Sequence, residues 1–201
     1  MITLIEAAGW PIYLLLVASL VAITLITERS LFLRHKKIVP PTLIDEVVQE
    51  LKQRGVSQQM LTRLSEGSPL GKVFAAGLKN IKSAPEVMKE SIEEAGRGAA
   101  HDLERFLTTL GTIASISPLL GLFGTVIGMI EIFGSQNAGG AAPAELAHGI
   151  SVALYNTAFG LIVAVPSMIA YRHFRAQVDS LTIEMEQQAI KLVEVVHGER
   201  K

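Results

Sequence analysis

Residues 1–27 and 106–171 contain no lysine or arginine, so 93 of the 201 positions form stretches without a basic side chain. All 18 Lys and Arg residues fall in two segments, Arg29–Arg105 and Arg172–Lys201. The basic-free stretches carry three acids, Glu6, Glu131 and Glu145. A soluble domain spreads charge of both signs over its surface, with about a quarter of its residues charged. Here 18% are charged and 49% are hydrophobic, and their distribution excludes a soluble domain of this size. A net charge of −1 and the lack of a concentrated basic face exclude nucleic-acid binding. Cysteine is absent, which removes disulfides, thiolate chemistry and Cys-ligated metal sites. The N-terminal MITLIEAAGWP lacks the basic n-region of a secretory signal and is expected to be retained.

The charge gaps define three candidate spans. Residues 7–27 are 21 uncharged positions, 106–130 are 25, and 146–171 are 26. A helix crosses a hydrocarbon core of roughly 30 Å with about 20 apolar residues, so three transmembrane helices are expected. Orientation follows from basic residues near the helix ends. Arg29, Arg34, Lys36 and Lys37 follow span 1, and Arg172 and Arg175 follow span 3, whereas the first eleven residues and the loop 134–149 have none. These place the N-terminus outside and both 28–105 and the C-terminal tail in the cytoplasm. Trp10 and Tyr13 suit an interfacial anchor at the outer end of span 1 and Tyr171 one at the inner end of span 3, or ordinary packing.

The expected architecture is therefore an all-α membrane protein with long cytoplasmic helical extensions. Its segments are an outer N-terminus and span 1 over 1–27, a cytoplasmic helical region over 28–105 and span 2 over 106–133. An outer loop covers 134–145, span 3 covers 146–171, and a cytoplasmic helix covers 172–201. Within 28–105, Pro40-Pro41, Gly55 and Glu66-Gly67-Ser68-Pro69 break the chain into helices from about Thr42 to Arg54 and from Gln58 to Ser65. Ser68 is the expected cap of a third, with Pro69 at its first position and apolar residues at 70, 73, 74, 78 and 81. Ser83-Ala84-Pro85-Glu86 has capping-box spacing. With no breaker stronger than Gly96 and Gly98 before Pro118, one helix is expected from about residue 84 through span 2. The tail continues span 3. Its Val178, Leu181, Met185, Ala189, Leu192 and Val196 form an apolar stripe, which packs on the extension of span 2 or on another subunit.

Catalytic constellations are missing. The five histidines, 35, 101, 148, 173 and 197, are scattered without metal-ligand spacing, and no phosphate-binding glycine loop appears. Neither enzymatic activity nor a cofactor is expected. Spans 2 and 3 differ from the Leu/Val/Ile-rich, lipid-facing span 1. Span 2 sets Ser117, Gly121, Gly124, Thr125 and Gly128 on one face, and span 3 sets Gly149, Ala153, Asn156, Thr157, Gly160 and Ala164 on one face. Such faces serve close helix packing, or they line a cavity whose hydroxyls hold water or a hydrated ion. Each span also contains a proline, Pro118 or Pro166, which frees a backbone carbonyl. No Asp, Glu, Lys, Arg or His lies deep in any span. Side-chain titration across a membrane needs an ionisable group, so a proton relay would need one from a partner helix.

The stretches SPLLGLFGTVIGMIEIF (117–133) and GISVALYNTAFGLIVAVPSMIAYRHF (149–174) resemble the signature of the MotA/TolQ/ExbB proton-channel family. Three spans and an outside N-terminus are similar to its ExbB/TolQ branch. The resemblance extends upstream through SPLGKVFAAGL (68–78) and LERFLTTLGTIASISP (103–118), covering roughly 65–175. It implies a homopentamer in the bacterial inner membrane around single-span ExbD/TolR-like subunits that supply an intramembrane Asp. Proton flow would then drive work on a TonB- or TolA-like protein, for outer-membrane transport or envelope integrity. Thr125 matches the threonine of GLFGTV and Thr157 that of the TA-GL motif, both pore-facing in the family, and Pro118 and Pro166 match its prolines. Two positions depart. Val152 stands where many relatives carry an acid, so no role of that acid transfers. Asn156 stands where Ala is common, and its amide either tunes hydration of the pathway or bonds between helices. A non-conducting scaffold that organises partner helices is the alternative from another class.

Overall fold

The computed structural model describes residues 9–134 and 143–198. The side chains of Glu6 and Glu145 and most of the loop 134–145 lie outside the described residues. The helices are α1 (Pro11–Phe32), α2 (His35–Ile38), α3 (Leu43–Arg54), α4 (Gln58–Gly67), α5 (Pro69–Lys79), α6 (Pro85–Glu104), α7 (Leu107–Gly134) and α8 (Pro143–Val196). No strand occurs among the described residues. Three helical stretches, within α1, α7 and α8, are long and apolar enough to cross a membrane. The chain divides into two compact units, one of residues 1–29 and 106–173, the other of 30–105 and 174–201.

Local signals set most helix ends in the second, polar unit. Gly55 closes α3 at φ +69°, a left-handed conformation that glycine adopts without Cβ strain, and its N–H reaches the Leu51 carbonyl. Ser57 Oγ accepts from the Met60 amide at 3.2 Å to start α4, and Ser68 Oγ from the Gly71 amide at 3.0 Å to start α5. Gly71 is required at the corner between α4 and α5, since a methyl group there would collide with the Leu64 carbonyl. Met60, Leu64, Leu70, Phe74, Leu78 and Met88 are fully buried around this corner.

The tail stripe is also in this core. Val178, Leu181, Met185, Ala189 and Leu192 are buried, while Val196 is half-buried and Val193 takes the last inward position. Polar links fix the tail to neighbouring elements of the same unit. Gln177 donates to the Leu33 carbonyl at 2.6 Å, His35 meets Glu184 at 2.6 Å, and Arg175 meets Glu104 at 3.0 Å. The stripe therefore has partners within its own chain.

Two expectations about α6 are corrected. Its cap position is Ala84, which makes no side-chain cap bond, so Ser83 forms no capping box; Pro85 occupies the first helical position instead. The expected single helix from residue 84 through span 2 is interrupted at Arg105–Phe106. Phe106 has φ +65°, the one positive-φ non-glycine residue among those described. A left-handed aromatic residue costs on the order of 1–2 kcal/mol. The compensation lies in its ring. Arg29, 2% exposed near the end of α1, sits 5.3 Å from the ring centroid while its guanidinium bonds both oxygens of Glu28. A cation over an aromatic face contributes about 0.5–2 kcal/mol, more when removed from water. Replacing Arg29 by Ala is expected to lower stability by about 1–3 kcal/mol, read as a fall in melting temperature in detergent; an unchanged melting point would show that the Arg29–Phe106 contact contributes nothing net.

Candidate functional site: a hydroxyl pair between two uncharged helices

The apolar unit holds α1, α7 and the first part of α8. Its core is small and partly polar: Ile12, Leu15, Ala22, Leu107, Leu110, Ala114, Ser117, Gly121, Gly124, Ala153, Asn156 and Ser167 are buried. Around it, large apolar side chains point outward, among them Leu20 (68% exposed), Leu119 (62%) and Ile169 (65%). In water such a surface would be unstable, and against lipid tails it is neutral. At one end Trp10 makes an edge-to-face contact with Phe123, ring centroids 5.9 Å apart. At the other, Tyr171 packs over Gly111, where a methyl group would lie 3.1 Å from the ring.

The small-residue faces of α7 and α8 meet one another. A methyl group at Gly121 would lie 2.7 Å from the Asn156 carbonyl oxygen and 3.0 Å from Thr157 Cα. One at Gly160 would lie 2.6 Å from the Ser117 carbonyl oxygen and 3.1 Å from Gly121 Cα. Gly128 faces Ala153, whose Cβ is 3.1 Å from where its own would be, and Gly149 faces Ile132. These contacts are close packing of α7 against α8 within the chain.

That approach brings two threonines together. Thr125 Oγ1 is 2.6 Å from Thr157 Oγ1, 3.0 Å from the Ala153 carbonyl oxygen and 3.2 Å from the Gly121 carbonyl oxygen. Both threonines are half-buried. Asn156 lies elsewhere: it is 1% exposed, and its side chain lies against Gly124, where a methyl group would meet its Cγ at 2.7 Å. Its amide is buried between the helices. The prolines sit inside unbroken helical segments, Pro118 in α7 and Pro166 in α8. Each has a buried serine beside it that bonds one turn back. Ser117 donates to the Ile113 carbonyl and Ser167 to the Val163 carbonyl, each at 2.7 Å. Ser167 is an addition to the sequence-derived set; its place one turn after Val163 and Ala164, on the face of Gly160, was the available signal.

Other chemistry is sparse. Among the described residues no three His, Asp or Glu side chains lie close enough together to hold a metal ion. The polar unit has an open cavity of about 650 Å³ between α6 and the end of α8, with an apolar floor including Ile92, Met185 and Val193 and charges of both signs at its rim. It has no arrangement that resembles a reaction centre.

These features define a polytopic helical membrane protein whose polar side chains at depth, among the described residues, are uncharged hydroxyls and an amide. Residues 65–187 match the model of the MotA/TolQ/ExbB proton channel family, and the chain belongs to that family. It is 30% identical to the Tol-Pal system protein TolQ of Pseudomonas aeruginosa over 184 residues, covering 83% of this chain and 80% of the relative. Identity to the biopolymer transport protein exbB1 of Vibrio cholerae is 31% over 80% of this chain and 71% of the relative. Identity to an ExbB-like 3 protein of a Synechocystis species is 30% over 79% and 77%.

The glycine contacts predict opposite outcomes for one substitution at two places. Gly121→Ala forces a methyl group against backbone that has no room to move, with an expected loss of about 1–3 kcal/mol. Gly98, inside α6, has open space where its methyl would be, so Gly98→Ala is expected to stabilise by about 0.5–1 kcal/mol. Thermal unfolding of the two variants in detergent reads both signs, and equal effects would remove the tight crossing as their cause.

Proposed function

We propose that this chain is the channel-forming, non-enzymatic subunit of an inner-membrane complex driven by the proton motive force. In this reading the N-terminus is periplasmic and the polar unit and C-terminus are cytoplasmic. The chain assembles as a homo-oligomer, a pentamer by resemblance, around an ExbD/TolR-like single-span partner that supplies an intramembrane Asp. The output is work on a TonB- or TolA-like protein. The relatives named for biopolymer transport and for the Tol-Pal system support this direction.

The observation that carries the proposal is the Thr125–Thr157 pair, a hydroxyl cluster between two spans without Asp, Glu, Lys, Arg or His at depth. Hydroxyls exchange hydrogen bonds with a passing water or acid yet cannot hold charge themselves, so an ionisable group must come from outside the chain. The non-conducting scaffold drew its support from the small-residue faces. Those faces pack α7 against α8 within the chain, and this reading gives the threonine pair between them the functional role.

Thr157→Val is expected to lower potential-dependent transport or envelope activity in cells by roughly five- to tenfold, the equivalent of one hydrogen bond of ~1–1.4 kcal/mol. The complex should still co-purify. Full activity in an intact complex would remove Thr157 from the pathway, and activity indifferent to the membrane potential would favour the scaffold.

A further inference from the structure

Span 1 ends in the densest run of positive charge in the chain. Arg34, Lys36 and Lys37 put three cations into four consecutive positions, which occurs nowhere else in the sequence, and no acid falls between Glu28 and Asp45. The carboxylates that reach this run are used by its other members: Glu28 bonds Arg29, and Glu184 of α8 bonds His35. Arg34, Lys36 and Lys37 are exposed and make no ion pair among the described residues.

Like charges this close repel, and orienting a span would need them only on a loose linker. Instead they stand on a fixed support. Leu33, Ile38 and Val39 beside them are each 1% exposed. The Lys37 N–H donates to the Arg34 carbonyl at 2.9 Å and the Val39 N–H to the His35 carbonyl at 2.8 Å, which closes the turn of α2. Gln177 holds the Leu33 carbonyl from the tail. The backbone that bears the cations is therefore ordered before any ligand arrives, and binding does not have to order it.

Their depth follows from α1. Its 22 residues span about 33 Å at 1.5 Å per residue, against a hydrocarbon core of roughly 30 Å. Large apolar side chains face outward as far as its last turn, where Leu31 and Phe32 are exposed, and the cations begin two positions later. With Trp10 at one boundary of the membrane, Arg34–Lys37 reach the level of the headgroup phosphates at the other. A phosphate offers acceptor oxygens and a full negative charge to lysine and arginine.

We propose that the elbow between α1 and α2 is a binding site for an anionic phospholipid, with its phosphate held by Arg34, Lys36 and Lys37 and its acyl chains along Leu31 and Phe32. A zwitterionic lipid presents the same phosphate but brings its own cation against the cluster, so the site selects by the net charge of the headgroup. The inference depends on α1 as a membrane span and is independent of the channel reading.

The test uses the full chain in nanodiscs containing a series of mole fractions of acyl-brominated phosphatidylglycerol or acyl-brominated phosphatidylcholine. Tryptophan quenching is read at the elbow in Trp10→Phe/Leu31→Trp, and at the far end from Trp10, the only tryptophan of the natural chain. At the elbow, half-quenching is expected at about fivefold to tenfold lower mole fraction for phosphatidylglycerol, whereas Trp10 should not distinguish the two lipids. In the elbow reporter, Lys37→Gln should lower the preference by about threefold to fivefold, and Arg34→Gln/Lys36→Gln/Lys37→Gln should abolish it. Lys52→Gln/Arg54→Gln/Lys79→Gln removes the same charge from exposed positions of α3 and α5 and should leave the preference intact. Inorganic phosphate, compared with chloride at equal ionic strength, should not displace the lipid. Equal quenching by the two lipids at the elbow overturns the proposal, as does a preference that survives the triple substitution at the elbow. A preference lost equally in the α3 and α5 variant would reduce it to net charge, and displacement by inorganic phosphate would assign the cations to a free anion; each also overturns it. If the triple variant does not fold, the single Lys37→Gln decides, and an unchanged preference there counts against the site.

Discussion

Everything at the centre of the apolar unit follows from how closely α7 and α8 approach where Gly121 meets Gly160. Neither position has room for a methyl group, because the backbone of the opposite helix already stands within 2.6–2.7 Å of where it would be. Between lipid tails there is no hydrophobic gain from bringing two helices together, so association depends on dispersion contacts and hydrogen bonds that only short separations allow. Glycine at both positions makes that separation available. One turn along, the same approach places Thr125 within reach of the Ala153 carbonyl and the Thr157 hydroxyl. The hydroxyl pair is a consequence of the glycine contact, and a wider crossing would return each threonine to its own helix.

The same geometry accounts for how polar groups are tolerated in an apolar setting. Ser117 and Ser167, next to Pro118 and Pro166, send their hydroxyls back to carbonyls of their own helices. Asn156 is buried against Gly124, where only the absence of a side chain gives its amide room. Charge is kept to the ends. Arg29 is buried, yet Glu28 and the face of Phe106 surround its guanidinium. No Asp, Glu, Lys or Arg interrupts the runs 7–27, 106–130 and 146–171.

Much of the architecture was legible from charge placement and punctuation. The uncharged runs marked the apolar helices because desolvating a charge is the largest single penalty a span would face. Gly55, Ser68 and Pro69 marked helix ends because each acts on backbone groups within one turn of itself. What escaped was decided at longer range. The break at Phe106 has no glycine or proline to announce it; a tertiary contact with Arg29, 77 positions away, offsets a conformation the residue would otherwise avoid. The false capping box at Ser83 arose because Pro85 can begin a helix without a side-chain cap. At the site, periodicity placed Thr125 and Thr157 on the small-residue faces but could not say that the faces meet each other. Nor could it show that Asn156, one residue from Thr157, lies in the helix contact instead of beside the hydroxyl pair. Neighbours in sequence on a helix are about 100° apart, and which of them meets the opposite helix depends on its rotation.

The central claim is that this chain shapes a polar path but cannot titrate within it. Proton flux into liposomes containing the purified chain alone, compared with liposomes containing the chain and the proposed single-span partner, tests this most directly. The account predicts no potential-driven flux without the partner and clear flux with it. Sustained proton flux through the chain alone would contradict it.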